Sequence, residues 1–347
     1  MKLLRFLLFP FAVLYDVVTT IRNWFFELGV LKSTSFDIPL IVVGNLSVGG
    51  TGKTPQIEYL IRLLKDTHKV AVLSRGYKRK TTGFQIVNSK HAAADVGDEP
   101  LQFYKKFKNE VTIAVDADRT NGIQQLLKSD VSPQVVLLDD AYQHRKVKGS
   151  SYILLTKYDD LYVDDFILPT GNLRESRRGA NRAAIIIVTK CPENLSEAAK
   201  EKIRKKINPS INQQLFFTSI SYDENLKGAE SELTIADLKH KDVLLVTGIA
   251  KPSSLLSFLS KENINYKHLE YADHYDFNAQ DILKIEKLFN DLASENKIIL
   301  TTEKDYMRLQ GKLKNMCYIT IKSAFLSEEE KFKQFIIDHV KAGENTK

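Results

Sequence analysis

The stretch S-V-G-G-T-G-K-T-P at residues 47–55 carries the clearest chemistry in the chain. Glycines let successive backbone N–H groups turn inward around phosphate oxygens. A lysine beside them reaches the terminal phosphates, and a following hydroxyl suits Mg²⁺. Ser47, Gly49, Gly50, Thr51, Gly52, Lys53 and Thr54 are therefore read as a nucleotide-phosphate cradle, with Thr54 also a metal ligand. Ser47 stands where the usual pattern has glycine, but serine can still turn and donate a hydrogen bond. Such a cradle must follow a buried strand and open a helix. Both are predicted: P-L-I-V-V-G-N (39–45) is apolar and β-branched, and Ile57, Leu60, Ile61 and Leu64 share one helical face.

A second element, Q-V-V-L-L-D-D-A-Y-Q-H (134–144), ends an apolar strand in Asp139 and Asp140. One such Asp reads equally as a turn or cap. Two beside a phosphate loop favour Mg²⁺, which prefers hard oxygen ligands. Further polar clusters occur at S-R-G-Y (74–77), V-G-D-E-P (96–100), V-D-A-D-R-T-N-G (115–122), T-G-N-L-R-E-S-R-R-G-A-N-R (170–182) and A-D-H-Y-D-F (272–277). Singly each reads as a helix cap or a solvated face. Together they would ring the C-terminal edge of one parallel sheet, where ligands bind. Phosphoryl transfer to an alcohol needs a base for the hydroxyl proton and positive charge for the moving group. Asp98 and His274 are the candidate bases, and Arg174 and its neighbours suit an anionic substrate.

The elements that would position these residues alternate between apolar strands and helical patterns, which predicts an α/β fold with helix-covered parallel strands. Strands are expected at 39–45, 69–74, 111–115, 134–140, 151–156 and 183–190, with helices at 54–66, 98–108 and 119–129. After 215–220, S-Y-D-E-N-L-K-G-A-E-S-E reads as a linker or hairpin turn, and a second α/β pattern begins at 242. K-I-I-L-T-T-E-K-D (297–305) and M-C-Y-I-T-I-K-S-A-F each read as one strand, and 327–341 as a closing helix. The expected layout is a helical N-terminal segment (1–30), a P-loop NTPase-type domain (31–220), a smaller α/β domain with its linker (221–315), and a closing strand and helix (316–347), with a return to the first domain left open.

The 347 residues are 43% hydrophobic and 27% charged, ordinary for a chain that buries a core. The net charge of +7 fits an anionic partner without choosing one, and two distant cysteines argue against a disulfide framework. The apolar run Phe6–Tyr15 is too short to span a bilayer, for which about 20 residues are needed. With N-W-F-F-E-L-G-V-L after it and Lys2, Arg5 and Arg22 flanking, it suits a helix or helix pair lying in a membrane interface.

Taken in order, G-N-L-S-V-G-G-T-G-K-T-P, S-R-G-Y-K-R, V-G-D-E-P, D-A-D-R, D-D-A-Y-Q-H, N-L-R-E-S, A-D-H-Y-D-F and T-T-E-K-D-Y-M-R-L resemble the tetraacyldisaccharide 4'-kinases of lipid A synthesis. The resemblance implies transfer of the ATP γ-phosphate, with Mg²⁺, to the 4'-hydroxyl of an acylated glucosamine disaccharide 1-phosphate. It implies action at the cytoplasmic face of a bacterial inner membrane, with no nucleic acid and no obligate protein partner. It implies Asp98 as base with His274 assisting. It implies Glu99, Asp139 and Asp140 as metal-site acids, and Arg75, Arg119, Gln143, Arg174 and Glu175 as substrate-binding. Two positions depart from the family: Ala141 stands where Gly is frequent, and Tyr275 where a second His is frequent. A membrane-attached P-loop ATPase of the positioning type is the alternative. Those proteins carry a signature Lys before the double glycine, where this chain has Val48.

Overall fold

The computed structural model describes residues 5–344 apart from 230 and 274, so the candidate base His274 lies outside the described residues. Helix α1 (Phe9–Glu27) opens with a proline in its first turn, where backbone N–H groups have no intrahelical acceptor. It is followed by β1 (Leu40–Asn45), α2 (Lys53–Leu64), β2 (Val70–Ser74) and β3 (Gln85–Ile86). A single helical turn, Ala93–Val96, leads into α3 (Asp98–Phe107), then β4 (Thr112–Val115), α4 (Arg119–Lys128), β5 (Val135–Asp139), β6 (Ser151–Lys157), β7 (Ile185–Thr189), α5 (Glu197–Ile207) and β8 (Gln214–Tyr222). The remainder comprises β9 (Asn225–Leu226), β10 (Leu233–Thr234), β11 (Asp242–Thr247), α6 (Ser253–Lys261), β12 (Tyr266–Glu270), α7 (Ala279–Asn290), β13 (Lys297–Thr302), α8 (Glu303–Leu309), β14 (Met316–Ile319), β15 (Ile321–Phe325) and α9 (Glu329–Glu344).

Nine strands form the larger sheet in the order β15-β8-β7-β6-β1-β5-β2-β4-β3. Only the edge strands β3 and β15 run antiparallel to their neighbours. The interior strands are buried on both faces, which is why they read as unbroken apolar runs. Along β1, Leu40 and Val42 enter one core while Ile41 and Val43 enter the other. The second core also takes Ile57, Leu60, Ile61 and Leu64 of α2, and Phe332, Ile336 and Val340 of α9. The smaller sheet, β12-β11-β13-β14, is wholly parallel. Leu255 and Leu259 of α6 cover one face, and Ile285 and Phe289 of α7 the other.

Two expectations change. K-I-I-L-T-T-E-K-D is not one strand: β13 stops at Thr302, whose hydroxyl caps α8 by accepting from the Asp305 N–H at 3.2 Å. M-C-Y-I-T-I-K-S-A-F is two strands in different sheets, β14 beside β13 and β15 beside β8. The hairpin reading after residue 220 is met by the antiparallel pair β9 and β10.

On α1 only Ala12 and Thr19 are buried. Phe9, Phe11, Val13, Leu14, Val17, Val18, Ile21 and Trp24 are exposed. Among the described residues no helix is long and apolar enough to cross a membrane. Polar tethers fix the other side of α1. Tyr15 Oη donates to the Arg174 carbonyl at 3.1 Å, Arg22 to the Gln143 carbonyl at 2.8 Å, and Asn23 Nδ2 to Glu175 Oε2 at 2.9 Å.

Candidate active site

β1 is the centre of the larger sheet, and the phosphate loop springs from its C-terminal end. Gly52 has φ +86° and forms the N-cap of α2, a conformation in which a Cβ is strained. Backbone bonds pin the loop to the N-L-R-E-S segment: Val48 N–H donates to the Asn172 carbonyl at 2.8 Å and Arg174 N–H to the Leu46 carbonyl at 2.7 Å. Lys53 Nζ lies 3.0 Å from Asn45 Oδ1 and 3.5 Å from Asp140 Oδ1. The ammonium is thus already held at the mouth of the loop.

β5, next to β1, delivers the two adjacent acids into different surroundings. Asp139 is buried and its Oδ2 accepts from Ser74 Oγ at 3.0 Å, while its Oδ1 is buried without a hydrogen-bond partner. Burial, reinforced by the Glu99 and Asp140 carboxylates, pushes Asp139 up to about 7. For Asp140 burial acts in the same direction, but Lys53 and Arg174 outweigh it and hold the carboxyl below its ordinary value. Arg174 Nη1 reaches Asp140 Oδ1 at 3.0 Å and Oδ2 at 3.3 Å. The left-handed backbone at this corner falls on Asp140 (φ +47°) and not on Ala141, so alanine is accommodated where glycine is frequent.

Glu99 is brought in by α3, and Thr54 Oγ1 donates to its Oε1 at 3.3 Å. Thr54, Glu99, Asp139 and Asp140 thus present hard oxygens at one edge. Among the described residues no three His, Cys, Asp or Glu side chains form a cage for a metal by themselves. That suits Mg²⁺, which keeps waters and takes one or two carboxylates together with nucleotide phosphates. Asp139 Oδ1, buried without a hydrogen-bond partner, leaves a carboxylate oxygen whose chemistry fits a cation.

Asp98 begins α3, where the helix N-terminus favours a carboxylate. Gly97 before it has φ +95°, and a Cβ there would lie 3.2 Å from Gly76 Cα and from the Tyr77 carbonyl. Glycines in V-G-D-E-P and S-R-G-Y therefore let two loops touch and bring Asp98 towards the β2 edge. Arg308 of α8 grips Asp98 Oδ2 through Nε at 3.1 Å and through Nη2. One turn earlier on α8, Lys304 lies 3.4 Å from Glu99 Oε1.

The substrate candidates separate into two layers. Arg75 is exposed at the end of β2, and Gln143 and Arg174 are partly exposed. Arg119 is buried, with Nη1 donating to the Asp116 carbonyl at 2.8 Å and Nη2 to the Asp139 carbonyl at 3.3 Å, and burial pulls it down to about 10. Glu175 is also buried and accepts from Asn23, Gln143 Nε2 (3.0 Å) and both terminal nitrogens of Arg182 (2.8 and 3.0 Å). Asn45, Ser74, Lys304 and Arg308 were not singled out from sequence. Lys304 and Arg308 lie in T-T-E-K-D-Y-M-R-L, whose polar spacing was the available signal.

α3 and α8 also share a buried charge cluster away from the loop. Lys106 Nζ bridges Glu58 at 2.8 Å and Glu303 at 2.7 Å. Two buried carboxylates thus compete for one ammonium. Burial first, and Glu58 second, push Glu303 up to about 7. Between its ordinary value and about 7 the folded protein binds more protons here than the unfolded chain, so stability falls as pH rises through that window. The Glu303 contribution is expected to lower the unfolding midpoint as pH rises from 4.5 to about 7, and Glu303→Gln to remove that part of the slope in a pH series of thermal melts.

The family model described as Tetraacyldisaccharide-1-P 4'-kinase matches residues 4–341. The chain belongs to that family. It is 54% identical to the tetraacyldisaccharide 4'-kinase of Flavobacterium johnsoniae, over 98% of each chain. It is 44% identical to that of Bacteroides thetaiotaomicron, over 98% of this chain and 94% of the relative. The crystal structure of the "apo" form of LpxK from Aquifex aeolicus in complex with ATP superposes with TM-score 0.78 at 32% identity, covering 97% of this chain and 99% of that one.

Proposed function

We infer that Lys53, Thr54, Glu99, Asp139, Asp140 and Asp98 form one phosphoryl-transfer centre, with Asp98 as the base. The observation that carries this is the Thr54–Glu99 hydrogen bond, which joins V-G-D-E-P to the phosphate loop. As a member of its family the chain is an ATP-dependent kinase that uses Mg²⁺ and phosphorylates the 4'-hydroxyl of tetraacyldisaccharide 1-phosphate, giving lipid IVA in lipid A biosynthesis. Thr54, Glu99, Asp139 and Asp140 would hold the metal, which when bound neutralises charge on the phosphates. Lys53 binds the terminal phosphates. The acceptor oxygen forms the new O–P bond, its proton passes to Asp98, and the bond from the γ-phosphorus to the bridging oxygen breaks with its electrons leaving on ADP. Arg75, Gln143 and Arg174 face the sugar phosphate in this reading, while Arg119 and Glu175 hold their neighbours in place. His274 is proposed to assist Asp98. The larger sheet with β15 and α9 is proposed as one domain and the smaller sheet as the other.

γ-Labelled ATP and a tetraacylated disaccharide 1-phosphate in detergent test the reaction. Labelled lipid is expected, whereas ATP hydrolysis with no labelled lipid would overturn the assignment.

We also propose that α1 lies in the cytoplasmic leaflet of the inner membrane and that the kinase needs no obligate protein partner. The exposed apolar side of α1 supports the first. Burying a large apolar side chain stabilises by about 1.5–3 kcal/mol. Phe11→Asp with Leu14→Asp is therefore expected to weaken co-flotation with anionic phospholipid vesicles by about 10²–10⁴-fold. Unchanged flotation would place the contact elsewhere.

A further inference from the structure

Asp98 meets a guanidinium delivered from the smaller sheet, 210 residues away in sequence. Two donors of Arg308, Nε and Nη2, converge on the same carboxylate oxygen, Oδ2. A planar guanidinium that meets one oxygen through two donors fixes where that oxygen sits, a directed contact that a lysine ammonium does not reproduce.

The guanidinium is itself supported from behind. Arg308 Nη1 lies 3.6 Å from Asp305 Oδ1, and Asp305 is fully buried. Asp305 Oδ2 accepts from the Gly248 N–H at 2.9 Å and from Thr302 Oγ1 at 2.7 Å. Gly248 follows β11 and Thr302 ends β13, so this carboxylate is joined to the C-terminal ends of two central strands of the smaller sheet. A chain of polar contacts therefore runs from that sheet through Asp305 and Arg308 to Asp98. The neighbouring contacts Lys304–Glu99 and Glu303–Lys106 seat the same helix along α3. The Arg308–Asp98, Lys304–Glu99 and Glu303–Lys106 contacts all join α8 to α3, the helix whose first residue is the proposed base.

We propose that Arg308 is a positioning residue for phosphoryl transfer: it sets the orientation of the Asp98 carboxylate and makes that orientation depend on how α8 docks against α3. The inference rests on the reading of Asp98 as base. Arg308 acts through Asp98, so it contributes nothing once Asp98 is gone.

The test uses the full chain in detergent with the tetraacylated disaccharide 1-phosphate and ATP. Kinetic constants are compared for Arg308→Ala, Arg308→Lys, Asp98→Ala and the Asp98→Ala/Arg308→Ala double variant. A misplaced catalytic group costs about 10²-fold, so Arg308→Ala is expected to lower kcat by that order with KM for ATP nearly unchanged. Arg308→Lys recovers only part of the loss, and added guanidinium ion restores turnover to Arg308→Ala but not to the double variant. The double variant is no slower than Asp98→Ala.

A wild-type kcat in Arg308→Ala overturns the proposal. So does a double variant slowed by the product of the two single losses. A loss in Arg308→Ala that accompanies a lowered unfolding midpoint and resists guanidinium marks a purely structural arginine and also overturns it. If Asp98→Ala itself turns over normally, the base assignment fails and this inference with it. A slow Asp98→Ala beside a fast Arg308→Ala sinks only the role of Arg308.

Discussion

Asp98→Asn is expected to reduce kcat by about 10²–10⁴-fold, the range for losing a general base, while nucleotide affinity stays close to wild type. The expectation is sharp because the side chain is nearly isosteric and the phosphate loop does not depend on it. The polar contacts of Lys53 run to Asn45 and Asp140, and Thr54 bonds to Glu99. Steady-state kinetics with nucleotide titration on the same preparation separate the alternatives. If the substitution chiefly raised the nucleotide dissociation constant, Asp98 would belong to the metal or to the scaffold.

Glu175→Ala is expected to destabilise the fold by about 3–5 kcal/mol, the cost of leaving a buried charge without its partner. The partner is Arg182, whose guanidinium packs 4.6 Å over the Tyr142 ring and, besides Glu175, donates to the Tyr142 carbonyl at 3.3 Å. Burial alone would lower this arginine, and Glu175 reverses that, holding it above its ordinary value. Denaturant unfolding reads the loss directly. A change below about 1 kcal/mol, the scale of exposed ion pairs, would mean that water reaches Arg182 and that Glu175 is available to substrate. Glu175→Gln keeps the acceptor oxygen and is expected to lose less.

The larger sheet was legible because strands covered on both faces must be apolar throughout, and six such runs stand out between helical patterns. The phosphate loop was legible because its chemistry lies within nine consecutive residues. Legibility failed where the deciding contact is remote. Arg308 and Asp98 meet only after both sheets have formed, and no spacing records that. It also failed where a local signal was masked. Thr302 and Asp305 have the spacing of a helix-start box, yet the apolar run before them drew the strand onward. At Thr320 the chain passes between sheets inside one alternating segment, with neither Gly nor Pro to mark the change. Glu175 and Arg119 were recognised by motif but not by depth. A charged residue in a loop motif reads as exposed, and only the fold reveals that these two face protein groups.

The tethers of α1 bear on how membrane attachment is studied. Asn23 serves Glu175, Arg22 the Gln143 carbonyl, and Tyr15 the Arg174 carbonyl. A truncated form lacking α1 is therefore expected to be a damaged catalyst, slow even towards a short-chain, fully dispersed acceptor. Phe11 and Leu14, on the exposed apolar side and away from these tethers, are the residues to alter when solubility is wanted and turnover must be kept.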